Sequence, residues 1–358
     1  MSSALSIILD NTHPTFNLSS AWTSVSENMW YNGTVSAFAE PQNNATIACD
    51  FLGKSISLFG QFDGPISASI DNEAHTFTTP EPNAHESQPL SSSTRLSSDG
   101  PHHVNVELSR EARFDYATIE AGPETPLEGQ NVIVDDGDES LQFSPEWLSV
   151  QGLARLNVTN GQQHRVYKDT IHQSTTPGAN LVFQFTGTSV AVYGVVRWQN
   201  AGRSSSAYIL DGSAPETHAI AASGVVTKCN NQPNYLFFQR DNLDPGNHTL
   251  AVTATEISGD QAFILDFVSY TASFANLSVN PNLTGGDAAS WTAPPLVQVI
   301  APRRRRRVSL VGAIVGAILG ALVLITLVVA FLCIRRRQRR NRMVAPPPPG
   351  GHMPIYAK

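Results

Sequence analysis

Ahead of Ser273 the apolar positions do not recur at helical spacing. They come as short alternating runs, such as Ser55-Ile56-Ser57-Leu58-Phe59 and Ser189-Val190-Ala191-Val192-Tyr193, separated by Gly, Pro, Asn and Asp. A period of two sends successive side chains to opposite faces of a strand, and turn residues at short intervals divide the chain into many strands. The pattern predicts an all-β sandwich or barrel.

The same stretch is duplicated. Ile7-Ile8-Leu9-Asp10-Asn11 matches Val132-Ile133-Val134-Asp135-Asp136, and Trp22 matches Trp147. Tyr31-Asn32-Gly33-Thr34-Val35 matches Tyr167-Lys168-Asp169-Thr170-Ile171, and the run Phe51 to Gly60 matches Phe185 to Gly194. Ile70-Asp71, the run Gly100 to Val106, and Phe114-Asp115-Tyr116 then match Leu210-Asp211, the run Gly246 to Val252, and Leu265-Asp266-Phe267. Blocks in one order imply two copies of one β domain, residues 1–122 and 131–272. The offset climbs from 125 to 151, so the second copy gains 26 residues net between matched strands. Those gains read as loops, where binding groups tend to be mounted, although surface loops also tolerate insertion at small entropic cost.

Beyond the duplication the pattern changes twice. Residues 273–302 are rich in Asn, Ser, Thr, Pro and Gly and read as a disordered stalk. Val308 to Ile334 then runs for twenty-seven residues without a formal charge, with Arg303 to Arg307 on one side and six arginines between Arg335 and Arg342 on the other. About twenty apolar residues span a bilayer as a helix, so residues 308–334 are expected to form one transmembrane helix in contact with membrane lipid. Gly312, Gly316 and Gly320 share one face of that helix and make it a candidate for homodimer pairing. Residues 335–358 form a short basic tail, whose Pro346 to Pro349 favour polyproline II and otherwise read as a disordered end.

Charge divides the chain in the same place. The first 302 residues hold 11 Lys and Arg against 30 Asp and Glu, a net of −19, and every basic residue after them belongs to the helix flanks or the tail. Such an acidic surface argues against nucleic acid as a partner, because phosphate binding needs positive potential. Three cysteines are too few for a disulfide framework. Cys49 sits on the apolar face of a strand, Cys229 in a polar loop, and Cys333 beside arginines, a candidate palmitoylation site or a plain thiol. The first residues contain no recognisable secretory signal. Against that, seven N-x-S/T sequons precede the arginines, at Asn17, Asn32, Asn44, Asn157, Asn247, Asn276 and Asn282, and favour a glycoprotein with its β domains outside the cell. A single pass through the plasma membrane with the N-terminal domains outside is the expectation; a tail-anchored protein with cytosolic β domains is the alternative.

The motifs Phe183-x-Phe185-x-Gly187-Thr188-Ser189-Val190-Ala191-Val192-Tyr193-Gly194, Leu210-Asp211-Gly212, Tyr235-Leu236-Phe237-Phe238, Gly246-Asn247-His248-Thr249-Leu250 and Leu265-Asp266-Phe267 resemble the galactose-binding-like ectodomains of fungal single-pass membrane proteins. The resemblance covers Ile7 to Tyr270 and the apolar helix. It implies two tandem jelly-roll sandwiches related in shape to carbohydrate-binding modules, and brings no ligand with it.

No complete active site is visible. Gly187-Thr188-Ser189-Val190-Ala191 nears a hydrolase elbow, but its serine opens a strand rather than a strand-to-helix turn. His102-His103 and His85-Glu86 lack metal-ligand spacing. Asp10, Asp71, Asp115, Asp135, Asp136, Asp211 and Asp266 recur near strand ends, where turn capping is the default and calcium the alternative. No cofactor, metal or catalytic residue is assigned. A sugar needs an aromatic face and planar polar groups, and Arg197, Trp198, Gln199 and Asn200 after Gly194 supply both. The expected function is glycan or cell-wall binding for adhesion or sensing; the alternatives are a structural or protein-interaction ectodomain and an enzyme accessory.

Overall fold

The structure is a computed structural model. It describes residues 5–39, 44–62, 66–75, 77–78, 90–92, 96, 99–151, 156–157, 163–225, 230–279, 332 and 334–336.

Two similar β-sandwich halves follow one another. In the first, Thr23–Ser26 lies beside Thr34–Phe38, which with Ser6–Asp10 flanks one edge of Ala112–Glu120. Ser55–Phe62 flanks the other edge and leads on to Leu90–Ser92 and Phe77–Thr78. The opposing sheet runs Phe16–Leu18, Ala45–Gly53, Gly100–Leu108, Ile66–Ile70, Glu73–Ala74. The alternation read from the sequence decides which side chains meet between the sheets. Ser55–Phe62 buries every second residue, Ile56, Leu58, Gly60 and Phe62, and Ala45–Gly53 buries Ala45, Ile47, Cys49 and Phe51. Burial pushes the Cys49 thiol up to about 12, as expected of a core residue.

The second half repeats this plan with one difference. Asn180–Arg197 is a single eighteen-residue strand that pairs with Gly246–Gly259 along its first part and with Phe263–Ala272 and Asn231–Arg240 along its second. One strand thus serves both sheets, where the first half uses Ala45–Gly53 and Ser55–Phe62. Part of the extra sequence is therefore strand rather than loop: Val195 to Arg197 prolongs the strand, and Glu216–Ala222 and Gly202–Leu210 pair along a full edge. Glycine lets this strand and its counterpart pass close to their neighbours. A Cβ at Gly60 would strike the carbonyl of Arg113, and one at Gly194 that of Ile264.

Ala112–Glu120 and Phe263–Ala272 are buried almost throughout rather than on alternate residues. One face of each strand closes its own sandwich; the other meets the opposite half. Ser6–Asp10 pairs antiparallel with Asn131–Asp135 through Ser6↔Ile133 and Ile7↔Val132, joining the front sheets of the two halves. Over this seam Ile8, Tyr31, Tyr116, Ile133, Tyr167, Ala191, Tyr193 and Phe267 form one buried cluster, with Phe59 packed against it. Its contacts come in matched pairs. Phe59 stacks on Tyr116 at 4.4 Å and Tyr193 on Phe267 at 4.7 Å; across the seam, Tyr31 lies 5.4 Å from Tyr193 and Tyr167 5.8 Å from Phe59. This is the reciprocal pattern of a twofold interface, made here within one chain. Accordingly, residues 1–296 form one compact unit rather than two.

The turns that deliver Tyr31 and Tyr167 are also duplicated. Each centres on a left-handed residue, Asn32 at φ +51° and Lys168 at φ +49°. Each is pinned by a buried carboxylate: the amide of Tyr31 donates to Asp115 Oδ1 and that of Tyr167 to Asp266 Oδ1, both at 2.9 Å. Trp22 and Trp147 pack against the core and donate their indole N–H to the carbonyls of Thr46 and Asn180.

The membrane-bound reading is corrected. Among the described residues no helix is long and apolar enough to cross a membrane. Up to Val279 the described elements are strands and three-residue 3₁₀ turns, far short of the roughly twenty helical residues a span needs. The expected helix 308–334 lies outside the described residues apart from Leu332 and Ile334, which are helical and exposed; Gly312, Gly316 and Gly320 lie wholly outside them, as do Cys229 and Cys333. Up to Val279 the fold of the described residues is all-β, and no membrane-crossing helix is among the described residues. The identification with fungal single-pass membrane proteins, membrane lipid as a partner, a helix-mediated homodimer and a plasma-membrane location with external domains are therefore set aside.

Because the seam cluster belongs to both halves, Tyr31→Ala is expected to lower the stability of the whole unit by about 3–5 kcal/mol, the usual range for truncating a large buried aromatic residue. Chemical unfolding followed by circular dichroism and tyrosine fluorescence should show one transition, shifted. Two separate transitions, with only the first half weakened, would contradict the shared core.

Candidate functional site

A cleft of about 620 Å³ opens where the halves adjoin. Ser26, Glu27, Asn28 and Met29 of the first half form one wall; Trp198, Ala221, Ala222, Ser223, Val225 and Gln232 of the second form the other. The strand Thr23–Ser26 ends at this wall, and the 3₁₀ turn at Tyr31 holds its far end. Trp198 lies in the turn that follows Asn180–Arg197.

Hydrogen bonds fix the geometry across the cleft. Trp198 Nε1 donates to Gln232 Oε1 at 3.0 Å, and Gln232 Nε2 donates to the Asn28 carbonyl at 3.0 Å. Asn234 Nδ2 donates to the Met29 carbonyl at 3.2 Å. Behind Trp198, Tyr235 meets its ring edge-on at 6.3 Å, and the Tyr235 hydroxyl lies 3.1 Å from His218 Nε2. Burial pushes the Tyr235 hydroxyl up and the His218 imidazole down, so both are neutral near pH 7. On the opposite wall Glu27 Oε2 accepts from Trp30 Nε1 at 3.0 Å and lies 3.7 Å from Arg113 Nη1.

Of the four residues expected to act together, only Trp198 lines this cleft. Neighbouring residues at a strand end point to opposite sides. Arg197 is turned to Gln173, its Nη2 donating to Oε1 at 3.3 Å, and burial pulls its pKa down. Asn200 donates through Nδ2 to the Asp260 carbonyl, and Gln261 Nε2 binds the Arg197 and Asn200 carbonyls. Those bonds build the turn that presents Trp198. Gln199 is exposed, and its amide donates to the Asn230 carbonyl. No motif in the sequence announces the contribution of Ser26 to Met29.

The recurring aspartates act within the fold. Asp71 receives the amide of His103 and lies 2.6 Å from His102 Nδ1; its counterpart Asp211 receives the amide of Thr249 and lies 2.7 Å from His248 Nδ1. The His102 bond holds the Asp71 carboxyl below the usual range. Asp136 binds Thr170 Oγ1 and His172 Nδ1, each at 2.6 Å. Burial drives Asp115 and Asp266 well above the ordinary carboxylate range and Asp135 to about 6, with Asp136 adding to the latter. Ser189 Oγ lies 2.6 Å from Thr271 Oγ1 and accepts the Thr271 amide, a pairing within the sheet rather than with a base. Among the described residues no group of three or more His, Cys, Asp or Glu is arranged to hold a metal ion. Asn17, Asn32, Asn44 and Asn247 of the sequons are exposed, and the Asn276 oxygen accepts the amide of Val279; Asn282 and the side chain of Asn157 lie outside the described residues.

With the geometry in place, the chain can be set beside known proteins as an all-β tandem sandwich with a cleft between its halves. No protein-family profile matches it, and no curated protein matches it. Among solved structures it is similar to a two-domain esterase active on acetylated mannans, co-crystallised with mannopentaose, at 14% identity over 44% of this chain and 42% of that one, TM-score 0.31. It is also similar to a Paenibacillus xanthan lyase, at 13% identity over 72% of this chain and 25% of that one, TM-score 0.27. A third is a carbohydrate-binding module from Cellvibrio mixtus lichenase 5A in complex with cellotriose, at 18% identity over 40% of this chain and 97% of that one, TM-score 0.24. The chain spans less than half the length of the esterase and of the lyase. At these scores the likeness carries no argument about activity or ligand.

One buried group close to this region titrates. His164 is almost fully buried, its ring 4.5 Å from that of Trp30 across the seam, and its Nε2 has no hydrogen-bond partner among the described residues. Burial pulls its pKa from 6.5 down to about 3. Between those values the unfolded chain binds a proton that the folded chain refuses, so its contribution to stability is complete above pH 6.5 and is lost as pH falls toward 3. His164→Leu removes this loss. Urea unfolding at pH 7 and at pH 5 is expected to show a fall in stability smaller in the variant by about 2 kcal/mol. An identical fall in both proteins would place the acid sensitivity elsewhere.

Proposed function

We propose that the protein is a non-catalytic carbohydrate-binding protein that holds a saccharide in the cleft between its two β-sandwich halves, residues 1–122 and 131–272, with Trp198 as the surface on which a sugar ring stacks. The observation that carries this reading is the fixed setting of Trp198. Its indole N–H is tied to Gln232, its edge is backed by Tyr235, and the ring lines a cleft whose other wall comes from a different sandwich. Sugar rings offer apolar C–H patches to an aromatic face and hydroxyls to flanking polar groups. Met29, Ala221, Ala222 and Val225 supply apolar surface here, and Ser26, Asn28, Ser223 and Gln232 supply hydroxyl and amide partners. A volume of about 620 Å³ falls within the usual range for small-ligand sites. The non-catalytic assignment is supported by Ser189, which pairs with Thr271, and by His248, whose two ring nitrogens face Asp211 and the Asp244 carbonyl.

The test is calorimetric titration with neutral cello-, manno- and galacto-oligosaccharides. Trp198→Ala is expected to weaken binding about tenfold or more, with circular dichroism checking that the fold is retained. Equal binding by both proteins would remove Trp198 from the site. Binding of no saccharide by the wild type would remove the carbohydrate reading, and shortened oligosaccharides after prolonged incubation would overturn the non-catalytic one.

A further inference from the structure

We infer that the cleft discriminates against uronate-bearing saccharides in favour of uncharged ones, and that Glu27 of the first half is the residue that does so; the inference rests on the carbohydrate reading above. Among the described residues, Glu27 is the only one lining the cleft with a formal charge. Its carboxylate is fixed on one side by Trp30 Nε1, at 3.0 Å from Oε2, and its side chain remains 38% exposed. The cation within reach, Arg113 Nη1, sits 3.7 Å from that same Oε2 and does not line the cleft. Arg197, adjacent in sequence to Trp198, is turned to Gln173 and supplies no positive charge to the ligand side.

A carboxylate accepts hydrogen bonds and donates none. A sugar hydroxyl placed against Glu27 can donate to it; a uronate carboxylate there can only accept, and brings a like charge into a partly desolvated cleft whose described lining residues include no facing cation. Like charges set against each other in an interface are a strong source of discrimination. Ser26, Asn28, Ser223 and Gln232 accommodate hydroxyls of either sugar, so the discrimination falls on Glu27. The acidic character of the chain works in the same direction at long range, and a control is needed to separate the two. Glu107 is exposed on Gly100–Leu108, outside the cleft lining, and changing it alters net charge equally.

The full-length chain is titrated with mannopentaose, cellopentaose and pentagalacturonate at low salt. The wild type is expected to bind at least one of the neutral pentamers about tenfold or more tightly than pentagalacturonate. Glu27→Gln, which keeps an acceptor for Trp30 and deletes the charge, should narrow that ratio about fivefold or more, while Glu107→Gln leaves it nearly unchanged. Melting curves of both variants check that the fold is retained. Pentagalacturonate bound as tightly as the neutral pentamers by the wild type overturns the inference while leaving the carbohydrate site standing. So does a ratio that Glu27→Gln leaves unaltered or that Glu107→Gln changes equally. Binding of none of the three sugars removes the carbohydrate reading, and this inference falls with it.

Discussion

The seam between the halves is the constraint on which the rest depends. A sandwich ordinarily keeps one face of each sheet in water, and its strands then alternate apolar and polar residues. Here Ala112–Glu120 and Phe263–Ala272 carry side chains for two interiors at once, and neither half presents a polar outer face in that region. Tyrosine suits this place because its ring fills the core while its hydroxyl still finds a partner. Asn131 Nδ2 donates to the Tyr31 hydroxyl at 3.0 Å, and the Tyr193 hydroxyl donates to Asn32 Oδ1 at 3.3 Å. Burial raises the Tyr193 hydroxyl to about 12 and drives that of Tyr31 upward as well, which keeps both hydroxyls protonated.

The cleft exists because the duplicated parts have diverged around a nearly symmetric contact. By the spacing that aligns Tyr31 with Tyr167, Glu27 and Asn28 correspond to Gln163 and His164. By the spacing that aligns Phe59 with Tyr193, Trp198 corresponds to Gly64. The two ends of the seam are therefore chemically unlike. The cleft has an indole on one wall and a carboxylate on the other; the corresponding sequence positions hold Gly64 and Gln163, and His164 packs against Trp30, which donates to Glu27 beside this same cleft.

Much of the scaffold was legible in the sequence, and the site was not. Alternation is a local property, so Ser55–Phe62 and Ala45–Gly53 are legible directly, and the duplication pairs Trp22 with Trp147 and Asp71 with Asp211, which make matching hydrogen bonds. The partner of Trp198 could not be read in this way, because Ser26 to Met29 lie about 170 residues earlier in the chain and meet it only through the seam. Composition counts side chains without directions, and here Arg197 donates to Gln173 while Asn200 closes a turn. The uncharged run after Val308 likewise speaks for hydropathy alone, and the described residues contain no membrane-crossing helix.

Linkage ties the seam to the cleft. Asp115 and Asp266 hold the Tyr31 and Tyr167 turns while their own pKa values are raised by burial, so they favour the folded state in acid and lose that contribution as pH rises through their folded values. The turn that carries Ser26 to Tyr31 is thus held partly by a group whose burial disfavours ionisation. A ligand that bridges Trp198 and the Asn28 wall binds only when the halves are joined, and so stabilises the joined state by RT ln(1 + [L]/Kd). The coupling is reciprocal: whatever free energy ligand adds to the seam, the intact seam must add to ligand binding. On the proposed carbohydrate reading, the buried aromatic cluster would by this route be part of the affinity.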